Sequence, residues 1–172
     1  SDTCGLLAAV NGDETSFYLT SDCGKTWTKR GFIDNLLCRS IAKSGDRFYG
    51  CFLSTNPNEG GVIMLSDDVG KTWESILDNK NGIFRFDVQE DGTLVALLTL
   101  DEGYAILYSV DGGQNWMPFP SSVTRDIVTF GQLSFLRDGM IYSSKGKVIV
   151  INPVSFVADT IHSSRGLMSG VV

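Results

Sequence analysis

The sequence TSDCGKTW (residues 20–27) contains the pattern that decides the fold, because it returns twice further along the chain. The other two copies are SDDVGKTW (66–73) and SVDGGQNW (109–116), and all three share the form [S/T]-x-Asp-x-Gly-x-[T/N]-Trp. Their aspartates stand at positions 22, 68 and 111, so the copies are 46 and 43 residues apart. The motif also uses all three tryptophans of the chain. A period of this size predicts a repeat architecture in which each repeat is one supersecondary unit.

The residue types of the motif suit a tight turn. The aspartate and the Ser or Thr can hydrogen-bond to backbone groups of their own turn, and the glycine takes a positive φ without strain. The tryptophan brings a large apolar ring with one N–H to satisfy. We therefore expect a structural role for the motif residues Asp22, Gly24, Trp27, Ser66, Asp68, Gly70, Trp73, Ser109, Asp111, Gly113 and Trp116.

The three motifs resemble the Asp-box, or bacterial neuraminidase repeat, found in β-propellers such as sialidases and sortilin-type receptors. The resemblance rests on these motifs and not on sialidase catalytic residues. It implies that each motif forms the turn between the third and fourth strands of a blade, with its tryptophan between blades. It also implies that the motifs lie on the face away from the functional site.

The segments between the motifs read as short strands separated by turns. Several are apolar on both faces, such as VIML (62–65), LVALL (94–98) and VIVI (148–151), as expected for small sheets covered on both sides. The predicted fold class is all-β, a small β-propeller of four blades of four antiparallel strands. The predicted blades are residues 1–31 plus 166–172, residues 32–77, residues 78–118 and residues 119–165.

The first and fourth blades depart from the pattern. Only three strands precede blade two, so we expect residues 166–172 to supply the innermost strand of blade one, which leaves no open sheet edge. Asn152-Pro153 stands where a fourth motif would fall. A quarter of 172 residues is 43, which agrees with the repeat. The alternatives are a fragment of a larger ring, or a ring completed by a second chain.

All four cysteines lie within the first 51 residues: Cys4, Cys23, Cys38 and Cys51. A two-residue turn at Ser44-Gly45 would place Cys38 opposite Cys51, within reach of a disulfide. Cys4 and Cys23 lie at the far ends of the first hairpin and could pair in the same way. Two such bridges would indicate an oxidising compartment. The alternative is four reduced thiols, buried as small apolar groups.

Composition excludes several classes of function. The chain has 14 basic and 20 acidic residues, a net charge of −6, and such a surface repels nucleic acid. No apolar run is long enough to span a bilayer, and no signal peptide opens the sequence, so we expect no membrane insertion. The single histidine, His162, cannot build a metal cage, and no cofactor motif is present. We expect no metal and no cofactor.

Function should lie in the loops that such folds gather at one rim. The predicted rim comprises residues 11–15, 55–60, 101–103 and 144–146, together with residues 32–35, 78–82, 120–125 and 162–165. These loops are rich in carboxylates and amides, which suit sugar hydroxyls or the basic groups of a protein. The alternative is that they are merely solvated turns. The candidate ligand-binding residues are Asp13, Asp34, Asn56, Asn58, Glu59, Asp101, Glu102, Tyr104 and Arg125.

The sequence argues against catalysis. A sialidase needs three arginines that clamp the substrate carboxylate, a tyrosine activated by a glutamate, and an acid/base aspartate. Arg39 and Arg85 lie on predicted innermost strands, but in different registers relative to their turns, so their side chains would point to opposite faces. Tyr104 beside Glu102 is a weak nucleophile candidate.

We therefore expect a non-enzymatic propeller that recognises a glycan or a protein through its rim. The alternatives are a sialidase-like hydrolase fragment and a structural or assembly module with a protein partner. A phage or secreted recognition module would suit the small size and the acidic charge. The expected location is extracellular, secreted or on a virion surface. The sequence does not specify the oligomeric state.

Overall fold

Fifteen β-strands make up the regular structure of the described residues. The computed structural model describes residues 5–119, 132–136, 139–144, 147–151 and 158–163. No helix in these ranges is long and apolar enough to cross a membrane. The all-β prediction is confirmed. The strands are β1 (Gly5–Asn11), β2 (Glu14–Thr20), β3 (Thr28–Asp34), β4 (Leu36–Ser44), β5 (Arg47–Ser54), β6 (Gly61–Ser66), β7 (Glu74–Asn79), β8 (Ile83–Val88), β9 (Leu94–Thr99), β10 (Tyr104–Ser109), β11 (Met117–Pro118), β12 (Gln132–Leu136), β13 (Gly139–Ser144), β14 (Lys147–Ile151) and β15 (Ala158–Ser163).

The strands form four antiparallel sheets. Within each sheet, every strand pairs with the next one along the chain. Sheet one has three strands in the order β1-β2-β3, and its β1 edge is unpaired among the described residues. Sheets two, three and four each have four strands: β4 to β7, β8 to β11, and β12 to β15. Each of the three motifs lies between the last two strands of its sheet, as the resemblance implies.

The chain divides into two compact units. Unit one comprises Ser1–Ile83 and Glu90–Gly92, and therefore contains sheets one and two. Unit two comprises Phe84–Gln89 and Thr93–Val172. In unit two, β9 is buried along most of its length, which accounts for its uninterrupted apolar sequence.

Each motif folds into a turn closed by its own side chains, and we call residues 20–27, 66–73 and 109–116 the motif turns. In the second, the Asp68 carboxylate accepts the Thr72 N–H at 2.9 Å and the Thr72 hydroxyl at 2.7 Å. The Ser66 hydroxyl donates to Asp68 at 3.0 Å and accepts the Gly70 N–H at 2.8 Å. One carboxylate and one hydroxyl thus accept hydrogen bonds from the donors of Gly70 and Thr72 and close the turn.

The other two motif turns repeat this arrangement. Asp22 accepts the N–H and the hydroxyl of Thr26 at 2.9 and 2.7 Å. Asp111 accepts the backbone N–H and the side-chain amide of Asn115, again at 2.9 and 2.7 Å. These donors favour the charged carboxylate, so the pKa of Asp22, Asp68 and Asp111 is lowered to about 2. The aspartates are therefore structural anchors.

An aromatic cluster joins sheets one and two. The rings of Phe17 on β2 and Trp73 after β6 lie 4.7 Å apart, and Phe52 on β5 meets Trp73 edge-on at 5.5 Å. Phe17 and Phe52 are almost completely buried. Leu6 and Ala8 of β1 pack on the same cluster. Trp73 therefore fills the space between two sheets, as the resemblance implies.

Trp27 behaves differently from Trp73. Its side chain is 43% exposed, and its indole N–H donates to the Gly24 carbonyl oxygen of its own turn at 3.1 Å. That it fills a gap between blades stays a prediction. The indole N–H of Trp73 is buried and has no partner in the described part of the chain.

The predicted Cys38–Cys51 bridge is wrong, and the register explains why. The β4–β5 turn is Gly45-Asp46 rather than Ser44-Gly45, and a bulge interrupts the pairing near Arg39. Cys38 faces Phe52 across the pair and packs against the aromatic cluster. Cys51 adjoins Phe52 in β5, so its side chain points to the opposite face of the sheet, towards the Ile83 carbonyl oxygen. Both are free thiols.

The other predicted disulfide joins Cys4 and Cys23. Cys23 is an exposed free thiol, and Cys4 lies outside the described residues. Free thiols at positions 23, 38 and 51 remove the disulfide argument for an oxidising compartment. Burial raises the pKa of Cys38 to about 11 and that of Cys51 to about 12.

Sheet four lies within residues 119–165, the range predicted for the fourth blade, and its last strand runs from Ala158 to Ser163. His162, expected in a rim loop, lies instead within β15 opposite Val148. Residues 152–157 and the proposed closing segment 166–172 lie outside the described residues.

Candidate functional site

Backbone contacts join the loops at one edge of unit one. The Asn35 N–H donates to the Asp13 carbonyl oxygen at 2.8 Å, and the Asn35 carbonyl oxygen accepts the Thr55 N–H at 3.0 Å. Gly60 abuts the backbone of Asn79 so closely that no side chain would fit there. We call residues 11–14, 34–36, 55–60 and 79–82 the unit-one rim.

Asn35 is the central residue of this rim, and it is missing from the sequence-based candidates. It is the single residue between β3 and β4, and it has a φ of 60°. Asparagine accepts this left-handed conformation more readily than most residues do. In the sequence, an asparagine between two predicted strands indicates a tight connection of this kind. Here it joins sheet one to sheet two.

A buried threonine supports the crossover from below. Thr15 on β2 is fully buried, and its hydroxyl accepts the Cys38 N–H at 3.0 Å. The same hydroxyl donates to a carbonyl oxygen of β4. The ends of β2, β3 and β4 are therefore fixed relative to one another, and the rim is held by hydrogen bonds rather than by the loops alone.

The loop of residues 55–60 satisfies most of its own polar groups. The Glu59 carboxylate accepts the Ser54 hydroxyl at 2.9 Å and the Asn56 side-chain amide at 2.8 Å. The Asn56 side-chain oxygen accepts the Asn58 N–H at 3.1 Å. Of these three candidates, Glu59 and Asn56 stabilise the loop, which leaves the exposed Asn58 side chain available for a ligand.

Asp13 and Asp34 are exposed carboxylates on either side of the Asn35 contact. Neither side chain has a partner among the residues that the structure describes, although the Asp13 backbone is hydrogen-bonded to Asn35. They differ in this from the aspartates of the motif turns, whose oxygens are occupied by donors. Asp13 and Asp34 are the rim carboxylates with capacity for an external donor.

A charged and aromatic group adjoins these carboxylates on sheet one. The Lys29 amino group lies 3.3 Å from the Glu14 carboxylate and 5.3 Å from the centre of the Phe32 ring. The Ser16 hydroxyl donates to Glu14, and this bond together with Lys29 lowers the pKa of Glu14. Phe32 is 55% exposed. Since Phe32 and Asp34 are two residues apart on β3, they share one face of the sheet.

The remaining candidates belong to unit two. Asp101 and Glu102 are exposed in the turn between β9 and β10, where the Leu100 N–H donates to the Gly103 carbonyl oxygen at 3.1 Å. Tyr104 is half-buried at the start of β10. Arg125 lies outside the described residues.

The residues considered for catalysis are divided between the two units. Arg39 is exposed on β4, close to the bulge. Arg85 is exposed on β8 in unit two. Across the described ranges, no group of three His, Cys, Asp or Glu side chains is arranged to hold a metal ion.

Comparison with known proteins bears on the fold. No family model and no curated protein matches the sequence. TolB from Acinetobacter baumannii matches with a TM-score of 0.65 and 11% identity, over 86% of this chain and 37% of TolB. The chain has a β-propeller-like all-β fold. The tricorn protease matches with a TM-score of 0.58 and 13% identity, over 93% of this chain and 15% of that protein.

A prolyl endopeptidase matches in the same way, with a TM-score of 0.59 and 11% identity over 92% of this chain and 29% of that protein. All three are β-propeller-containing proteins. Identities this low show the fold alone. The chain spans from 15% to 37% of the length of these structures.

Proposed function

We propose that this chain is a non-enzymatic recognition module that binds a glycan through the unit-one rim. The observation that carries the proposal is the pair of unpartnered carboxylates, Asp13 and Asp34, on a backbone fixed by Asn35. A rim held in this way loses little conformational entropy when a ligand binds. Carboxylate oxygens accept hydrogen bonds from sugar hydroxyls, and these charge-assisted bonds are stronger than neutral ones.

The neighbouring Phe32 supports a glycan in particular. An exposed aromatic ring beside hydrogen-bonding groups suits a ligand with both apolar C–H faces and polar hydroxyls. The ring is exposed on the same face as Asp34, and the side chain of Asn58 adds an amide on another rim loop. A protein ligand that presents Lys or Arg would use the same carboxylates, and it is the second candidate.

We further propose that the chain is an Asp-box propeller with its sheets as blades. The three motif turns, with their shared hydrogen-bond pattern, support this assignment. Closure of blade one by residues 166–172 stays a prediction. A larger ring is the alternative, because the chain spans only 15% to 37% of the structures that it matches. The proposed location, extracellular or on a virion surface, rests on the recognition role alone.

A glycan array probed with labelled protein tests the recognition role. We expect binding, and we expect Asp13→Asn combined with Asp34→Asn to weaken it about tenfold or more, the loss expected for charged hydrogen bonds. The matched control is Glu74→Gln, which removes an equivalent charge from an exposed position on β7 outside the rim. Equal losses in both variants would indicate a general charge effect and contradict the rim assignment.

The same array distinguishes the alternatives when the buffer is assayed for free sugar. Bound glycan without released sugar supports recognition, whereas released sugar would establish the hydrolase instead. If the array is silent, the glycan proposal fails. Binding of a basic peptide that is lost in the double variant would then support the protein ligand.

A further inference from the structure

Two asparagine-glycine pairs in unit one differ sharply in their surroundings. Asn11-Gly12 forms part of the β1–β2 turn, and Asn81-Gly82 lies between β7 and β8. Asparagine before glycine is chemically labile, because the glycine has no Cβ to obstruct attack on the asparagine side chain. Each pair is therefore a possible deamidation site, and the fold decides which one reacts.

The reaction begins at the glycine backbone nitrogen. After losing its proton to the solvent, this nitrogen attacks the asparagine side-chain carbonyl carbon, a C–N bond forms, and ammonia leaves. Water then opens the cyclic imide at either carbonyl and gives aspartate or isoaspartate. The net change is one amide plus water converted to one carboxylate plus ammonium. Water is the co-reactant, and the attacking N–H must be accessible.

The structure leaves the first pair open to this reaction. Asn11 and Gly12 are both exposed, whereas Gly82 of the second pair is buried. The Gly12 N–H has no acceptor in the part of the chain that the structure describes. The Asn11 side chain likewise has no hydrogen bond there. Solvent and the attacking nitrogen can therefore both reach the side-chain amide.

The second pair is restrained at the attacking atom. The Gly82 N–H donates to the Asn79 carbonyl oxygen at 2.9 Å, and the Gly82 carbonyl oxygen accepts the Asn79 side-chain amide at 2.6 Å. Gly82 is buried. Deprotonation at this nitrogen would break a hydrogen bond away from solvent, which costs free energy.

We propose that Asn11 is the deamidation site of this chain, and that Asn81 is protected by its fold. The product carries an added carboxylate two positions before Asp13, so the modification makes the unit-one rim more acidic. The isoaspartate form also lengthens the backbone at the two-residue turn between β1 and β2. This inference does not depend on the ligand proposed above.

Peptide mapping by mass spectrometry after incubation of the native chain in mildly alkaline buffer tests the proposal. We expect Asn11 to convert about tenfold faster than Asn81, a ratio that one buried amide hydrogen bond supports. In urea, where neither turn persists, the two rates should become equal. An Asn11→Gln variant should lose the fast conversion, since its longer side chain does not form the favoured ring.

Two results would overturn the proposal. Equal rates in the native chain, or faster loss of Asn81, would show that the described contacts do not control the reaction. A difference that persists in urea would show that the flanking sequence, and not the fold, sets the order of reactivity.

Discussion

The hydroxyl of Thr15 donates a 2.6 Å hydrogen bond to the carbonyl oxygen of Leu36, and this contact joins sheet one to sheet two beneath the unit-one rim. Thr15 also accepts the Cys38 N–H, so a single fully buried hydroxyl serves two backbone groups of β4. Removing it would leave both groups without their partner.

Thr15→Val is therefore expected to lower the free energy of unfolding by about 2–3 kcal/mol, since shape is kept while two buried hydrogen bonds are lost. Urea denaturation measures the change. Thr28→Val on β3 is the control, because Thr28 is exposed and we expect less than about 0.5 kcal/mol there. A Thr15 variant as stable as the wild type would show that the contact contributes nothing.

The tryptophans of the first two motif turns should differ in their contribution to stability. Trp73→Ala is expected to cost about 3–5 kcal/mol, because it opens a cavity beside Phe17 and Phe52. Trp27→Ala should cost about 1–2 kcal/mol, since the ring is partly exposed and one hydrogen bond is lost. Thermal and urea unfolding of the two variants compare them directly. Equal losses would contradict the packing described for Trp73.

Acid should destabilise the chain through the motif turns. The pKa of Asp22, Asp68 and Asp111 is lowered in the folded state from 3.8 to about 2, so their contribution is present above about pH 4. It is lost as pH falls through this range, because the unfolded chain then binds more protons than the folded one. The urea concentration at the midpoint of unfolding should therefore decrease as the pH is lowered from about 4 to about 2.

An Asp68→Asn variant should show a weaker dependence of stability on pH over the same range, since one of the three titrating carboxylates is gone. Asp46→Asn, at an exposed position in the β4–β5 turn, serves as its control and should keep the wild-type profile. If the two variants gave the same profile, the motif carboxylates would not control the acid response.

The thiols should react with iodoacetamide in a definite order. Cys23 is exposed and should be alkylated quickly at mildly alkaline pH. Cys38 and Cys51 should react slowly, because burial raises their pKa values and leaves little thiolate. Mass spectrometry of the labelled peptides follows each site, and unfolding in urea should remove the difference. Rapid labelling of Cys51 in the native chain would contradict its burial.

The sequence predicted the strands and the motif turns well because both depend on local patterns. Alternating turn residues and apolar runs specify short strands, and the three Asp-Gly-Trp motifs mark the turns between them. The apolar runs at residues 62–65 and 94–98 lie within β6 and β9. The all-β class follows from these patterns alone.

Register was harder to predict, because it depends on details that local patterns do not contain. A shift of the β4–β5 turn and a bulge near Arg39 place Cys38 and Cys51 on opposite faces. The exposure of Trp27 likewise depends on what packs against sheet one. The sequence indicated a polar rim but did not separate Asp13 and Asp34 from Glu59, whose oxygens are occupied within its loop.

The hydrogen bonds that close each motif turn connect residues no more than four positions apart. Such contacts form with little loss of chain entropy, and chains rich in local contacts fold quickly. Each motif turn can therefore bring its two flanking strands together before distant segments meet. In a fold made of many strand pairings, we expect these three turns to act as separate starting points for folding along the chain.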